Sequence, residues 1–564
     1  MTTPAQLDLV FLWHMHQPDY RDPRDGRYVL PWTYLHGIKD YTDMAAHLER
    51  HPGLRAVVNF VPVLVEQIDE YARAIAAGVP CDPLLALLAR EDFTTLSDAE
   101  RDLVSTACFR ANHHHMLEPF PPYRRLRDLD ALVGEDASPR HYLSGRYYAD
   151  LVTWYHLVWL GESVRRDQPW VVDLIGKGGD YSSAERRRLF DLVGCELGRI
   201  AARYRALRER GQVELSTTPY AHPLGPLLFG FGAAREAVPD LALPAHPAYS
   251  DGAARFAEHC RLARTLHDSR FGAPPRGAWP AEGALSAPVL EALGDHDFAW
   301  TASGEAVLAH TLRAAGRPYD RHEHLYRPWR DASGVTVFFR DDRLSDLIGF
   351  EYSRWDAYDA ARHFVGELDR IRTSAPTGET PVVCVALDGE NAWEYYPYNA
   401  YYFFEALYEA LAEQPAIRTT TFASVLDCPR QRTRVRDLPR VCAGSWVYGT
   451  LTTWMGDPDK NLAWDLLCEA KLAYDARAPA LSPAARANAD RLLRVCEGSD
   501  WFWWFGDYNP AASVANFERL FRANLEALYM QLDLVPPAAL TAPLSRGSML
   551  AGDAGTMRRS NPTP

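Results

Sequence analysis

The chain has 564 residues, more than a single hydrophobic core organises, so two or more domains are expected. Apolar residues make up 47% and charged residues 24%, the balance of an ordinary globular protein. A formal net charge of −14, with no basic run anywhere, argues against a nucleic-acid partner.

The opening run, MTTPAQLDLVFLWHMHQP, has no basic start and no small-residue cleavage site, so it is not read as a signal peptide. No stretch approaches the roughly 20 apolar residues of a membrane span. Nine widely spaced cysteines without a C-x-x-C pair argue against a disulfide framework and against a cysteine-based zinc site. A cytoplasmic protein without a membrane partner is expected. Sixteen Trp and 28 Tyr cluster along the chain, and flat aromatic faces suit sugar rings as well as cores.

Leu7 to Trp13 reads as a strand that runs into His14, Met15, His16, Gln17 and Pro18. His14 and His16 are two apart and share a face at the strand end. Ala56 to Phe60 is a second strand, followed from about 64 to 210 by Ala-, Leu-, Arg- and Glu-rich helical sequence that reads as an insertion packed over the barrel. Within it, His113, His114 and His115 are consecutive, and consecutive side chains on a helix diverge, so they do not form a metal set. GQVELS, with Glu214, is the next strand, and it leads into a polar loop that carries His222. PRGAWPAE gives a short strand and then Trp279 and Glu282. Two further strands follow at Asp297 to Ala302 and Val335 to Arg340, the second continuing into Asp341, Asp342 and Asp346.

PVVCVALDGENAWEYYPYN then supplies a β-branched run, suited to a strand buried on both faces, that stops at Asp388, Gly389 and Glu390. Acids at the carboxyl end of a buried parallel strand lie at the barrel mouth, where such folds keep their chemistry. Asp388 and Glu390 point the same way if the strand continues, and Gly389 permits a sharp turn. Trp393, Tyr395, Tyr396 and Tyr398 form an aromatic fringe beside them. A short Thr-rich run near Arg418 closes the alternating pattern. From about Leu438 the chain reads as helical and aromatic, with GSWVYGTLTTWMGDPDKNLAW and EGSDWFWWFGDYN as loop-like patches.

About seven strands separated by helices predict an α/β fold, an incomplete (β/α)7 barrel with helical insertions, followed by a C-terminal α-helical domain. Residues 1–430 form the expected barrel, 431–536 the helical domain, and 537–564 a poorly ordered tail.

His14-Met15-His16-Gln17-Pro18, GQVELSTTPYAHP, Gly277 to Glu282, Leu387-Asp388-Gly389-Glu390 and Glu497-Gly498-Ser499-Asp500-Trp501 resemble, in order, the five sequence regions of glycoside hydrolase family 57. FFRDDRLSDLIGFEYS is similar to the branch with α-amylase and amylopullulanase members, whereas the family's branching enzymes usually differ in the first region. The resemblance implies a retaining enzyme acting on α-glucans, with Glu282 as nucleophile and Asp388 as general acid/base. Retention requires carboxyl groups only about 5–5.5 Å apart. Asp388 must hold its proton near neutrality, helped by burial and by Glu390. His14, His16 and Gln17 are expected on sugar hydroxyls, Glu214 and His222 on sugar or on other residues, and Trp279 stacked on the ring. Asp346, Glu390, Trp393, Asp500 and Trp501 are expected as further substrate contacts, the last two from the helical domain.

The resemblance implies no cofactor, although it leaves room for a structural calcium ion. Two other readings stay open. A 4-α-glucanotransferase would use the same double displacement, and a zinc-dependent hydrolase could take its metal from His14, His16 and Asp19.

Overall fold

The computed structural model describes residues 6–134 and 138–548. Seven parallel strands close a barrel: β1 (Leu7–Met15), β2 (Ala56–Phe60), β3 (Val213–Thr217), β4 (Gly277–Ala278), β5 (Trp300–Gly304), β7 (Thr336–Arg340) and β8 (Val382–Asp388). They follow one another around the ring in chain order. β8 pairs with β1 over seven residues, and Arg340↔Cys384 closes the circle between β7 and β8. Short strands lie outside it: β6 (Trp329–Arg330) runs antiparallel to β7, β10 (Arg436–Asp437) extends β6, and β9 (Ile417–Thr419) pairs the first half of β1. β2 pairs the second half, from Leu12 to Met15.

The alternation of a strand decides which residues reach the site. In β1, Leu7, Leu9, Phe11, Trp13 and Met15 join the outer core under the helices, whereas Val10 and Leu12 join the inner core. In β8, Val383, Val385 and Leu387 point out, and Val382, Cys384 and Ala386 point in. His14 and Asp388 continue the inward rows of the two strands and sit opposite each other in register. Trp279, Trp300 and Phe338 fill the interior, and Phe422 and Val425, from the short helix Phe422–Asp427, close it from below. Glu214 is bonded within this plug, accepting from Trp300 Nε1 at 2.7 Å and from the Ala423 amide at 2.8 Å.

The expected insertion is observed as helices from Pro62–Ala76 to Ser183–Glu209. The last of these starts with a capping box between Ser182 and Glu185 and packs along the first. After the barrel come the helices Pro458–Arg477, Pro483–Cys496, Asp500–Trp504 and Ala511–Gln531. They are stitched to the barrel at one loop. The Ser499 amide donates to the His222 carbonyl at 2.9 Å, and Pro223 bridges Gly498. Beside this seam the buried Glu497 takes Arg255, His259 and Tyr249 at 2.6–2.9 Å.

The expectation of a loose tail from 537 is corrected for its first part. Leu540 and Leu544 are buried, Ser545 Oγ accepts from the Gly506 amide, and Ser548 bridges Pro510. Two apolar side chains and those bonds are enough to hold a Pro- and Ala-rich segment that has no periodicity of its own. Residues 549–564 lie outside the described residues.

Trp501 belongs to the core of the helical domain. Its Nε1 donates to the Val495 carbonyl at 2.8 Å, and its ring meets Phe517 and Phe521. Trp501→Ala should therefore destabilise the chain by roughly 3–5 kcal/mol, the usual loss for a buried Trp. A thermal melt with an unchanged midpoint would rule out this placement.

Candidate active site

A cavity of about 890 Å³ opens at the carboxyl ends of the barrel strands. It is the size of a pocket that encloses a ligand of several rings. His14, His16, Gln17, His222, Glu282, Asp388, Glu390 and Asp500 all line it. Residues up to 486 positions apart in sequence thus meet at one mouth, as the strand-end reading requires.

Glu282 sits just past β4 on a left-handed backbone, φ 57° and ψ 23°. That conformation costs a residue with a Cβ about 1–2 kcal/mol, so the surroundings must impose it. They do so through the loop at 444–446. Leu285 and Gly444 exchange backbone hydrogen bonds at 2.9 and 3.1 Å, and the Trp446 amide donates to the Glu282 carbonyl at 3.0 Å. Trp446 Nε1 then donates to Glu282 Oε2 at 2.9 Å and fixes the carboxylate. The loop comes this close because residue 304 is glycine. A Cβ there would stand 2.7 Å from the Trp446 Cα.

Asp388 ends β8, and Asn391 Nδ2 donates to its Oδ2 at 2.8 Å. Burial raises its pKa, against the Asn391 bond and the positive charges of His16 and Arg340. Glu390 is raised further, by burial first and then by the charges of Asp388 and Asp40. Burial, more than Glu390, is therefore what lifts Asp388. Glu390 Oε1 accepts from the His16 amide at 3.2 Å and from Gln17 Nε2 at 3.3 Å, and Tyr20 holds Gln17 in turn. Gly389 has no left-handed backbone. It is needed for close approach, because a Cβ would fall 2.1 Å from the Met15 sulfur.

The histidines form one directed chain. The Asn59 amide donates from Nδ2 to Ser216 at 3.1 Å, so its Oδ1 must accept from His14 Nδ1 at 2.7 Å. His14 Nε2 is then an acceptor, and His222 Nε2–H donates to it at 3.2 Å. His222 Nδ1 accepts the Ser499 hydroxyl at 2.7 Å. Both rings are neutral. Burial and the charge of His16 lower His14 to about 3, and burial, with His16 and His14, holds His222 well below the ordinary range. Their nitrogens are all committed to protein partners. His16 is different: its Nε2 donates to Asp500 Oδ1 at 2.8 Å.

The donors of His16, His222 and Asp500 lie within 4.8 Å of one another, close enough to raise the question of a metal. The rings argue against it. A metal ion lies in the plane of each imidazole that binds it, yet the His16 and His222 planes are stacked, with centroids 3.9 Å apart and 21° between planes. Asp19, which the competing zinc-hydrolase reading would place beside His14 and His16, pairs with Arg21 at 2.6 Å and with Arg491 at 3.8 Å.

Five expected contact residues do not line the cavity. Glu214 is in the barrel plug. Trp279 is fully buried under the Glu282 loop, edge-on to Trp446 at 5.1 Å. Asp346 pairs with Arg340 at 3.1 Å and acts through it. Trp393 faces the outer core between Trp13 and Phe404, its Nε1 on the Gly389 carbonyl at 2.7 Å. Trp501 is core. For the three tryptophans, the chain beside an acid turns the ring into packing.

Residues not read as substrate contacts in the sequence take their place. Trp446 and Arg340 line the barrel side, Arg110, Asn112 and His113 the insertion side, and Trp503 and Trp504 the helical domain. Arg340 lies 5.4 Å from the Trp446 ring and bonds Ala386 O and Asp342. An aromatic-rich, glycine-broken stretch was the available signal for Trp446, Trp503 and Trp504. Of the insertion residues the local sequence marked His113 alone, and only as part of a histidine run.

With this geometry in place, the likenesses to known proteins can be read. A GH57 branching enzyme from Thermococcus kodakaraensis superposes with a TM-score of 0.58 at 15% identity, covering 93% of this chain and 90% of that one. A GH57-type branching enzyme from Pyrococcus horikoshii gives 0.55 at 18%, covering 95% and 96%. The α-amylase AmyC from Thermotoga maritima gives 0.55 at 15%, covering 94% of each. At these identities the likeness is one of fold. The family model of glycosyl hydrolase family 57 matches residues 10–439, most of the chain including four of the five motif regions, and the chain belongs to that family.

Proposed function

We propose that the protein is a retaining glycosidase that cleaves α-1,4-glucosidic bonds in starch, glycogen or maltooligosaccharides. The observation that carries this reading is the pair Glu282 and Asp388, presented to one cavity from the ends of β4 and β8 in opposite states of preparation. Glu282 is fixed by an indole N–H, which favours its ionised form and aims it. Asp388 is half-buried at the end of β8, and the loss of solvent there biases it toward its protonated form. That is the division of labour of a nucleophile and a general acid. The known activities of the similar structures, α-glucan branching and amylase action, fit the same substrate class.

Glu282 attacks the anomeric carbon while Asp388 gives its proton to the departing glycosidic oxygen, and a glycosyl-enzyme ester forms. Asp388 then takes a proton from the incoming water as that water displaces Glu282. Trp446 holds the carboxylate in line for the attack. The reading of water as the acceptor rests on the resemblance of FFRDDRLSDLIGFEYS to the α-amylase and amylopullulanase branch. A 4-α-glucanotransferase would differ only in accepting a sugar 4-hydroxyl, and product analysis on maltooligosaccharides, starch and pullulan separates transfer, hydrolysis and debranching. Free, scattered cysteines accord with a cytoplasmic setting, and among the described residues no helix is long and apolar enough to cross a membrane.

Replacing the nucleophile gives a clean test, because glycine suits the left-handed backbone at 282. Glu282→Gly should abolish turnover without lowering Tm, and azide should restore cleavage to give a product of inverted configuration. Turnover close to wild type would remove Glu282 from this role.

The proton on Asp388 makes a second prediction. A carboxyl whose pKa is raised stays protonated above the ordinary aspartate value of about 3.9 and loses its proton as pH rises. The rate should therefore fall on the alkaline side through that raised pKa. Asp388→Asn should lower kcat on maltooligosaccharides by on the order of 10²–10⁴, yet spare glycosylation by α-maltosyl fluoride, whose leaving group needs no proton. Equal losses on both substrates would assign the proton elsewhere.

The chemistry as proposed needs no metal ion. Exhaustive dialysis against EDTA should leave kcat/KM essentially unchanged, while a loss restored by zinc alone would favour the metallohydrolase reading.

A further inference from the structure

Just outside the cavity the chain does something costly. Tyr398, Asn399 and Ala400 follow one another in the left-handed region, with φ of 53°, 51° and 61°. Such residues with a Cβ usually visit that region singly, and a run of them persists only where the surroundings over-determine it. The cause is Asn399. Its side chain is buried and clamped from both ends, accepting from Lys39 Nζ at 3.0 Å and donating to Asp43 at 2.9 Å. Pinning Asn399 inward throws the preceding ring outward.

Tyr398 is 56% exposed and Tyr402, one helical turn on, is 44% exposed. Their centroids stand 5.3 Å apart at 87°, so Tyr402 braces Tyr398 edge-on. Tyr402 is itself held, its hydroxyl accepting from Arg166 at 3.1 Å and its ring 5.2 Å from that guanidinium. An exposed aromatic ring is ordinarily mobile. This one is fixed from beneath at the expense of backbone strain, which is the signature of a binding element and not of a solvent-facing accident.

Its position says what it binds. Tyr395, three residues earlier, is 40% exposed and lines the catalytic cavity. Three peptide units span at most about 11 Å, so the platform begins within a few sugar rings of the mouth. We propose that Tyr398, braced by Tyr402, is a second α-glucan-binding platform outside the catalytic cavity, on which a chain leaving the cavity past Tyr395 lays the apolar faces of its glucose rings. This rests on the α-glucan reading above. It assigns the segment 395–402 a role in holding polymer that the cleavage chemistry itself does not require.

The experiment compares wild type, Tyr398→Ala and Tyr398→Trp on maltotetraose and on long soluble amylose, with Tm as the check on folding. Tyr398→Ala should lower kcat/KM on amylose about three- to tenfold, the scale of one aromatic stacking face, with a smaller loss on maltotetraose. Tyr398→Trp should restore the amylose value. Equal losses on both substrates, or no loss on amylose, would overturn the platform while leaving the cleavage reading intact. If wild type turns over neither substrate, the cleavage reading fails, and affinity electrophoresis in amylose gels still decides the platform. There, retardation of wild type that is weakened in Tyr398→Ala supports it, and unretarded wild type or equal retardation overturns it. A Tyr398→Ala change that instead splits a dimer in size-exclusion chromatography, without a glucan effect, would assign the pair to a contact between copies of this chain and also overturn it.

Discussion

The register of β1 against β8 is the constraint on which the site depends. Seven consecutive pairs, from Asp8↔Val382 to His14↔Asp388, fix which residues of each strand face inward. Because side chains alternate with a period of two, a slip of one residue would carry His14 and Asp388 to the outer core and bring Trp13 and Leu387 into the barrel. The outer positions of both strands are wholly apolar and buried, so such a slip would also expose a buried carboxyl to packed Phe364 and Trp393. The hydrophobic pattern and the catalytic placement are therefore one specification. Gly389 tightens it, since only glycine lets the β8 end lie against the Met15 sulfur.

Charge in the site is arranged around that placement. Arg340 is buried at the end of β7 and is neutralised by Asp342 and Asp346, so it can sit beside Asp388 without fully ionising it. The two deepest imidazoles are neutral and linked by directed hydrogen bonds to Asn59 and Ser499, which leaves the acids uncompensated. Raised carboxyl pKa values are a stability debt. The folded chain binds those protons more tightly than the unfolded one, so Asp388 and Glu390 favour folding at low pH and oppose it as pH rises past the unfolded values. The Glu497 cluster, beside the seam between the barrel and the helical domain, acts in the opposite sense. Glu497 is held far below the ordinary range by Arg255 and His259, and contributes with the opposite pH dependence.

The barrel was legible in the sequence because its strands are short apolar runs that end in acids. β2 was delimited to the residue, and the seven-strand count matches the closed ring. Glu282 and Asp388, the pair proposed to react, were legible as acids at strand ends for the same reason. The aromatic residues were not. Trp279, Trp393 and Trp501 stand beside acids in sequence, but adjacency along a strand end or helix start places neighbours on different faces, and each ring turned into a core. The rings at the cavity, Trp446, Trp503 and Trp504, lie in loops or at a helix end, where no periodicity reports direction. Arg110 and Asn112 were hidden for a different reason: their position depends on how an insertion folds back over the mouth, which is tertiary information.

Three separate parts of the chain thus enclose one cavity, and they do not contribute alike. The barrel supplies the reacting groups on rigid strand ends, held by register and by the loop at 444–446. The insertion and the helical domain supply walls, polar on one side and aromatic on the other. In a double displacement, the first half is carried by the two acids, and the fate of the glycosyl-enzyme turns on what reaches the anomeric carbon before water does. The acids cannot make that choice, because both acceptors use the same base. It falls to the walls, which decide whether a second sugar can rest beside the intermediate. Under the proposed double displacement, Trp503 and Trp504 are the aromatic faces of the cavity beside which a second sugar would have to rest, and the choice between the two acceptors is then made at the walls and not by the acids.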